Sequence, residues 1–338
     1  MNDESVKLDV PFRMSRLGDT FGVEIHGVQI DRPLSAPLLE GIKQVLAQHS
    51  VILIRGATLS EAQQEAFTEQ FGPHPDRQEH VWAPNVDLAA EPGKPTQWEG
   101  RGTGFYPLLN KGNTIFFVNG PGLADKEVDR FAAWDDEDDS KAYGASCWHT
   151  GDTEEFDTEY ISTLYAEVAA TEGGNTLWSD NTTAFEDLPE PTRRRMEGLR
   201  AIHYFTYREG TSPVSQPLVK THPITGRKAF YMNFFTVERI EGMERGESYD
   251  TLQFLYEHIC QPRYVYRQVW RDGDMIMWNN NTTMHRKGRL VSGIRRIMRR
   301  TQARVPEFQS KLPWDKTRPA ESHDGGHWFP YPFEERPA

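Results

Sequence analysis

Apolar positions recur along the chain with two periods. Leu38, Leu39, Ile42, Val45 and Leu46 fall on one face of a helix over Ser35–His49. Ser60–Phe71 predicts a second helix, with Ala62, Ala66, Phe67 and Phe71 inward and Ser60 and Gln63 spaced as a capping box. Between them Val51–Ile54 is a short apolar run ended by Arg55-Gly56, which reads as a buried strand. Phe21–Ile30 predicts another strand, with turn chemistry at Gly27 and Asp31. Beyond residue 140 the pattern turns mostly β. Strands are predicted at Tyr160–Val168, Gly174–Trp178, Ala201–Thr206, Lys228–Asn233, Val265–Val269, Met275–Trp278 and Arg296–Ala303. Helices near Pro189–Leu199 and Tyr249–Ile259 interrupt them. Many short strands with few helices argue for a sandwich or a distorted barrel. No repeat and no clean linker divides the chain, so residues 1–338 read as one domain.

Regularity fades after Gly72, and residues 73–145 are too long for an ordinary connection, which predicts a lid or binding loop. The acidic run Asp135–Asp139 lacks Gly-punctuated ligand spacing and reads as a solvated loop.

Composition narrows the class. The 338 residues carry 38 Lys and Arg against 50 Asp and Glu, a net charge of −12, which disfavours a nucleic-acid polymer as partner. Hydrophobic residues at 37% and aromatics at 12% suffice for a packed core. No apolar run reaches the roughly 20 residues that span a bilayer, so no membrane is expected. Met1 to Val10 has no signal-peptide stretch, and Cys147 and Cys260 provide no disulfide framework. A cytoplasmic protein acting on a small molecule is the expectation.

Of the eleven histidines, His26, His49, His203, His222, His258, His323 and His327 read as surface or satisfied core residues. Two polar patches in β-rich surroundings differ: Cys147-Trp148-His149-Thr150-Gly151-Asp152-Thr153 and Trp278-Asn279-Asn280-Asn281-Thr282-Thr283-Met284-His285. Two distant imidazoles with a carboxylate beside the first suit the facial triad of non-haem Fe(II) oxygenases. A structural role for both patches stays open on spacing alone.

Trp148-His149-Thr150, Gly173-Gly174-Asn175-Thr176-Leu177-Trp178, Asp274…Trp278…His285 and Arg295-Arg296-Ile297-Met298-Arg299-Arg300 resemble, in order, the signature blocks of the taurine dioxygenase (TauD/TfdA) family. His49 to Gly56 and Phe71-Gly72 are similar to it as well. The resemblance implies a mostly β fold with flanking helices around a double-stranded β-helix, a jelly-roll or cupin-like core. It implies Fe(II), 2-oxoglutarate and O2 as cofactors, with His149 and His285 as iron ligands. Arg296 would pair with the far carboxylate of 2-oxoglutarate, and Thr176 would donate a hydrogen bond to it. Arg300 shares the strand face of Arg296 and would meet an anionic group of the substrate, or form a structural ion pair. His74, with His80, Trp82, Trp98, Phe105 and Tyr106 of the lid, is a candidate for the substrate wall. Family members are often homo-oligomers, and nothing in the pattern settles that state here.

The sequence departs from the family at one ligand. Its first motif normally reads His-x-Asp, whereas here Gly151 follows Thr150 and the carboxylate comes one residue later, as Asp152. The spacing from His149 to Thr176 shows no insertion, so an Asp-to-Gly replacement is the plain reading. That pattern resembles the non-haem iron halogenases, in which chloride takes the vacated place, and a radical chlorination of an aliphatic C–H becomes the leading expectation. A hydroxylase using Asp152 as third ligand is the alternative, and a non-catalytic binding protein the third reading. Asn279 stands where the family usually has Asp, which removes a second charge near His285.

Overall fold

The computed structural model describes residues 8–18, 21–75, 108–111, 114–119, 147–151, 153, 160–204, 212–291 and 294–320. In chain order these form β1 (Arg13–Arg16), β2 (Val23–His26), α1 (Ala36–His49), β3 (Val51–Ile54), α2 (Glu61–Glu69), β4 (Leu108–Lys111), β5 (Thr114–Asn119), β6 (Ile161–Val168) and β7 (Thr176–Asp180). Next come α3 (Asn181–Glu186), α4 (Glu190–Glu197), β8 (Arg200–His203), β9 (Val214–Pro217), β10 (Val219–Thr221), β11 (Lys228–Phe230), β12 (Val237–Ile240) and α5 (Arg245–Ile259). The series closes with β13 (Val265–Gln268), β14 (Met275–Asn279), β15 (Thr283–Lys287), β16 (Arg296–Ala303) and β17 (Arg318–Pro319).

A major sheet of eight strands has the order β1-β2-β3-β14-β6-β16-β5-β4, and a minor sheet has the order β13-β7-β15. All pairs are antiparallel except β2 with β3, whose connection carries α1. Val51 and Leu53 of β3 join Ile276, Trp278, Trp178, Tyr266, Trp270 and Met298 in an apolar layer between the two sheets. Ile52 and Ile54 point the other way and pack with Val45, Leu46, Phe67 and Phe71 of the helical layer. Strand β14 repeats this, with Met275 and Met277 on the helical side. The unbroken Val51–Ile54 run thus reflects burial on both faces. Each such side chain contributes roughly 1.5–3 kcal/mol by its burial. A third layer, with Leu252, Leu255 and Ile259 of α5, covers the outer face of the minor sheet at Leu177 and Met284. Two facing sheets with helices outside are the jelly-roll architecture anticipated from the sequence.

Local signals explain most boundaries. Ser60 accepts from the Gln63 N–H at 3.2 Å while Gln63 Oε1 accepts from the Ser60 N–H at 2.9 Å, so the capping box forms and α2 begins after it. Helix α1 ends where Ser50 turns to φ 62° and its N–H returns to the Leu46 carbonyl. Strands β1, β9, β10, β12 and β17 are additions to the sequence reading, and three further features differ from it. The 73–145 stretch contributes β4 and β5 to the edge of the major sheet and begins with 73–75 lying against the end of β16, and the rest of it, including His80, Trp82, Trp98, Phe105, Tyr106 and Asp135–Asp139, lies outside the described residues. Short helix α3 starts because Asp180 accepts from the N–H groups of Thr182 and Thr183 at 3.1 and 3.0 Å. Strand β15 has a polar sequence without alternation and is held by its pairing with β7.

Arg55 and Asp274, both within the family-like blocks, form a structural knot. Asp274 is 1% exposed and accepts from Arg55 (2.8 Å), Gln268 Nε2 (2.8 Å) and the Arg271 N–H (3.0 Å), tying β3 to β14 at their far ends. Among the described residues no helix is long and apolar enough to cross a membrane.

Two buried histidines make stability depend on pH. Burial pushes His203 down to about 3 and His222 down to about 4, from the usual 6.5. Between those limits the unfolded chain binds protons that the folded rings refuse, so stability rises with pH across that window and is lost on acidification. The Tm should fall as pH drops from 6.5 to 4. His222→Asn keeps an acceptor for the Ile224 N–H and should flatten that slope; an unchanged slope would assign the acid sensitivity elsewhere.

Candidate active site

The sheet pairing brings the two polar patches together. His149 and His285 form an antiparallel bridge, with each N–H donating to the other's carbonyl at 3.0 and 2.7 Å. Their rings lie 4.2 Å apart between centroids. On β15, His285 is paired with Trp178 and faces the interior between the sheets, whereas Met284 points to the outer layer. The indole of Trp278 stands 4.9 Å from the His285 ring and limits its movement.

Protonation suits metal binding. His149 Nδ1 lies 2.7 Å from the Cys147 carbonyl. A carbonyl can only accept, so Nδ1 carries the hydrogen, and Nε2 is the nitrogen left to offer a lone pair to a metal. Burial pushes His285 well below the usual histidine range, and His149 and Arg300 act in the same direction. Its buried Nδ1 has no hydrogen-bond partner among the described residues. Two imidazoles in contact are a donor set that divalent transition metals take. No third His, Cys, Asp or Glu joins them among the described residues, and Asp152 lies outside those residues.

Gly151 is closely surrounded on its Cβ side. Its φ is not in the left-handed region, but a Cβ there would meet Tyr160 Cε2 at 3.3 Å and Asn280 Cγ at 3.6 Å. The direction that a side chain would take holds an aromatic ring and an amide. The Asn280 amide is itself fixed: it donates to the Tyr160 carbonyl at 2.8 Å and to Ser162 at 3.0 Å, and accepts from the Trp278 indole at 2.9 Å.

A second cluster suits a carboxylate. Thr176 lies two residues before Trp178 on β7, hence on the same inward face. Its hydroxyl accepts from the Trp270 indole at 3.0 Å, which leaves its own proton for another acceptor. Arg296 is 8% exposed on β16. Gly174, at φ +68°, lets the backbone lie against its arm, for a Cβ would stand 3.1 Å from Arg296 Cδ. The register irregularity beside Arg296 falls where β6 carries an extra residue, so β16 keeps its alternation against β5 and Arg300 shares the face of Arg296. The Arg300 guanidinium lies over the Phe117 ring, 5.5 Å from its centroid. His74 is bound to the other end of β16, donating from Nδ1 to the Gln302 carbonyl at 2.6 Å. Gln302 in turn donates to Ser162 at 3.0 Å, the hydroxyl that Asn280 also contacts.

Sequence reasoning missed Tyr160 and Trp270, and also the buried polar groups behind the His149 turn, Gln216, Asn233 and Thr236; His203, read as a surface or satisfied core residue, is buried beside Thr236. No local motif marks the missed residues, because they reach the site from four separate segments.

A family model described as taurine catabolism dioxygenase TauD, TfdA family matches residues 13–302. The chain belongs to this family. As a TauD/TfdA member it is an enzyme, and several of its relatives bear dioxygenase names. The alpha-ketoglutarate-dependent 2,4-dichlorophenoxyacetate dioxygenase of Burkholderia sp. (strain RASC) is 27% identical over 292 residues, covering 82% of this chain and 89% of that protein. The alpha-ketoglutarate-dependent sulfate ester dioxygenase of Pseudomonas putida is 27% identical over 286 residues, covering 78% and 80%. The crystal structure of a taurine dioxygenase from Burkholderia xenovorans shares the fold, with a TM-score of 0.68 at 23% identity over 93% of this chain and 96% of that one.

The contact at Gly174 yields a direct check. Gly174→Ala puts a methyl group 2.9 Å from the Ala170 Cβ at a positive φ. It should cost about 2 kcal/mol in urea unfolding, from backbone strain and crowding together. A loss under about 0.5 kcal/mol would mean that the turn relaxes freely.

Proposed function

We propose that the protein is an Fe(II)/2-oxoglutarate-dependent dioxygenase that hydroxylates an aliphatic C–H of a small anionic molecule. The observation that carries this reading is the reciprocal His149–His285 bridge, which holds two imidazoles in contact on the interior face that also carries Thr176. Bound iron with 2-oxoglutarate would supply the O2-dependent oxidation of the C–H bond. His149 through Nε2 and His285 would hold the metal. Asp152 is the carboxylate proposed as third protein ligand. Arg296, with two parallel N–H donors, and the free Thr176 proton would hold the distal carboxylate of 2-oxoglutarate. Arg300 would orient an anionic group of the substrate, and His74 would border the same space. The indoles of Trp178, Trp270 and Trp278 close the interior against water, so these residues bind and position, with no acid–base role.

Chlorination, the leading expectation from Gly151, becomes the second reading. It is favoured by the missing carboxylate at 151. Against it stand the Tyr160 ring and the Asn280 amide on the Cβ side of Gly151. The relatives reported above are named dioxygenases, and chloride appears in none of those names as a cofactor. A non-catalytic role leaves the buried Arg296 and its glycine cradle without a purpose.

Anaerobic Fe(II) and 2-oxoglutarate should give a visible metal-to-ligand charge-transfer band that does not move when chloride is titrated. Asp152→Ala should abolish the band. A saturable chloride shift, with iron retained in Asp152→Ala, would overturn hydroxylation in favour of chlorination. Arg296→Gln should weaken 2-oxoglutarate about 100-fold, about 3 kcal/mol for a lost charge-assisted pair, while apo-protein metal affinity stays unchanged. An unaltered 2-oxoglutarate affinity would remove Arg296 from the site.

A further inference from the structure

We infer that Gln216 and Asn233 are positioning residues for the turn that presents His149, and that they set metal affinity from behind it. The inference rests on the iron reading of the site. The turn has little of its own to define it: the Thr153 N–H donates back to the Gly151 carbonyl at 2.7 Å, and Gly151 offers no side chain as an anchor. Its remaining polar groups are met from behind. Asn233 Nδ2 donates to the carbonyls of Thr150 and Gly151 at 3.5 and 3.4 Å. Gln216 Nε2 donates to the Thr153 carbonyl at 2.9 Å. The Thr153 hydroxyl lies 2.9 Å from that of Thr236 and 3.3 Å from His203 Nδ1, and the Thr150 hydroxyl donates to the Asn280 carbonyl.

Both amides are held in one orientation. Gln216 Oε1 accepts from the Thr317 hydroxyl at 2.7 Å, and Asn233 Oδ1 accepts from the Phe235 N–H at 3.0 Å. Neither amide can rotate without losing that bond, so the N–H groups stay aimed at the turn. Gln216 is 0% and Asn233 3% exposed, where water cannot replace a lost donor. The bridge to His285 restrains His149 on one side and these amides restrain the residues after it on the other. Without the amides the turn, and the imidazole with it, would have several positions relative to His285. Ligand orientation is what such supporting bonds control, and their loss weakens metal binding.

The test uses the full chain without added iron. Gln216→Met keeps the volume and removes the donor. Asn233→Asp keeps the acceptor for Phe235 and replaces the donor to the turn with an oxygen that repels the two carbonyls, at the cost of an added carboxyl group. Gln64→Met is the control, a 0% exposed glutamine on α2 that serves the Arg299 carbonyl. Co(II) is titrated into each, followed by calorimetry and by its ligand-field absorption, with Tm measured alongside. Gln216→Met and Asn233→Asp should bind Co(II) at least tenfold more weakly and with altered bands. Gln64→Met should lose Tm but keep wild-type affinity and bands. Wild-type affinity and bands in a folded Gln216→Met or Asn233→Asp overturn the inference, and if one does not fold the other decides. Failure of the wild-type chain to bind Co(II) would bring down the iron reading first, and is seen in the same titration.

Discussion

Burial of the major sheet on both faces is the constraint from which the site follows. Because β3, β6 and β14 are covered by helices on one side and by the minor sheet on the other, successive residues must serve different layers. A slip of one residue would send Ile52 and Met277 toward the site and Leu53 and Trp278 toward the helices. The alternation also decides the chemistry. It turns Thr176, Trp178 and His285 inward on the minor sheet, and Arg296, Met298 and Arg300 inward on the facing strand.

Polar groups inside this interior are supported in layers. Asp274 is satisfied by three donors at one end of β14, and Asn280 by a ring of partners at the other. The two imidazoles lie toward the Asn280 end, and the Arg296–Thr176 cluster lies toward the Asp274 end. At the Asn280 end Trp278, Ser162, Tyr160 and Gln302 link the His149 turn, the end of β16 and His74 through hydrogen bonds of about 3 Å, which hold geometry in a place that water does not reach. The same layering explains why Gly151 matters beyond its missing carboxylate. It lets the turn pass close to Tyr160, whose ring borders its Cβ side.

Much of this was legible in the chain itself. The helices from Ser35 and Ser60, the buried Val51–Ile54 strand and the strands through Met275 and Arg296 follow from local period and capping, which depend on near neighbours. The ordered blocks around His149, Thr176, His285 and Arg296 carried the family. What was not legible has a common physical cause. Strand β15 has no β pattern of its own and exists because β7 pairs with it; β4 and β5 hide in an irregular stretch; Tyr160, Trp270, Gln216 and Asn233 come from four separate segments.

The sequence by itself determined the layers, the family and the donor types, since each is written in residue identity and short-range spacing. Only the tertiary structure decided which nitrogen of His149 stays open, that Thr176 has a proton to give, and that a ring stands against Gly151. The Thr176–Trp270 contact joins residues 94 positions apart, and the nearer His149–Cys147 and Gly151–Tyr160 contacts depend on the path of a turn; both kinds are fixed by sheet register and burial, which no local pattern encodes.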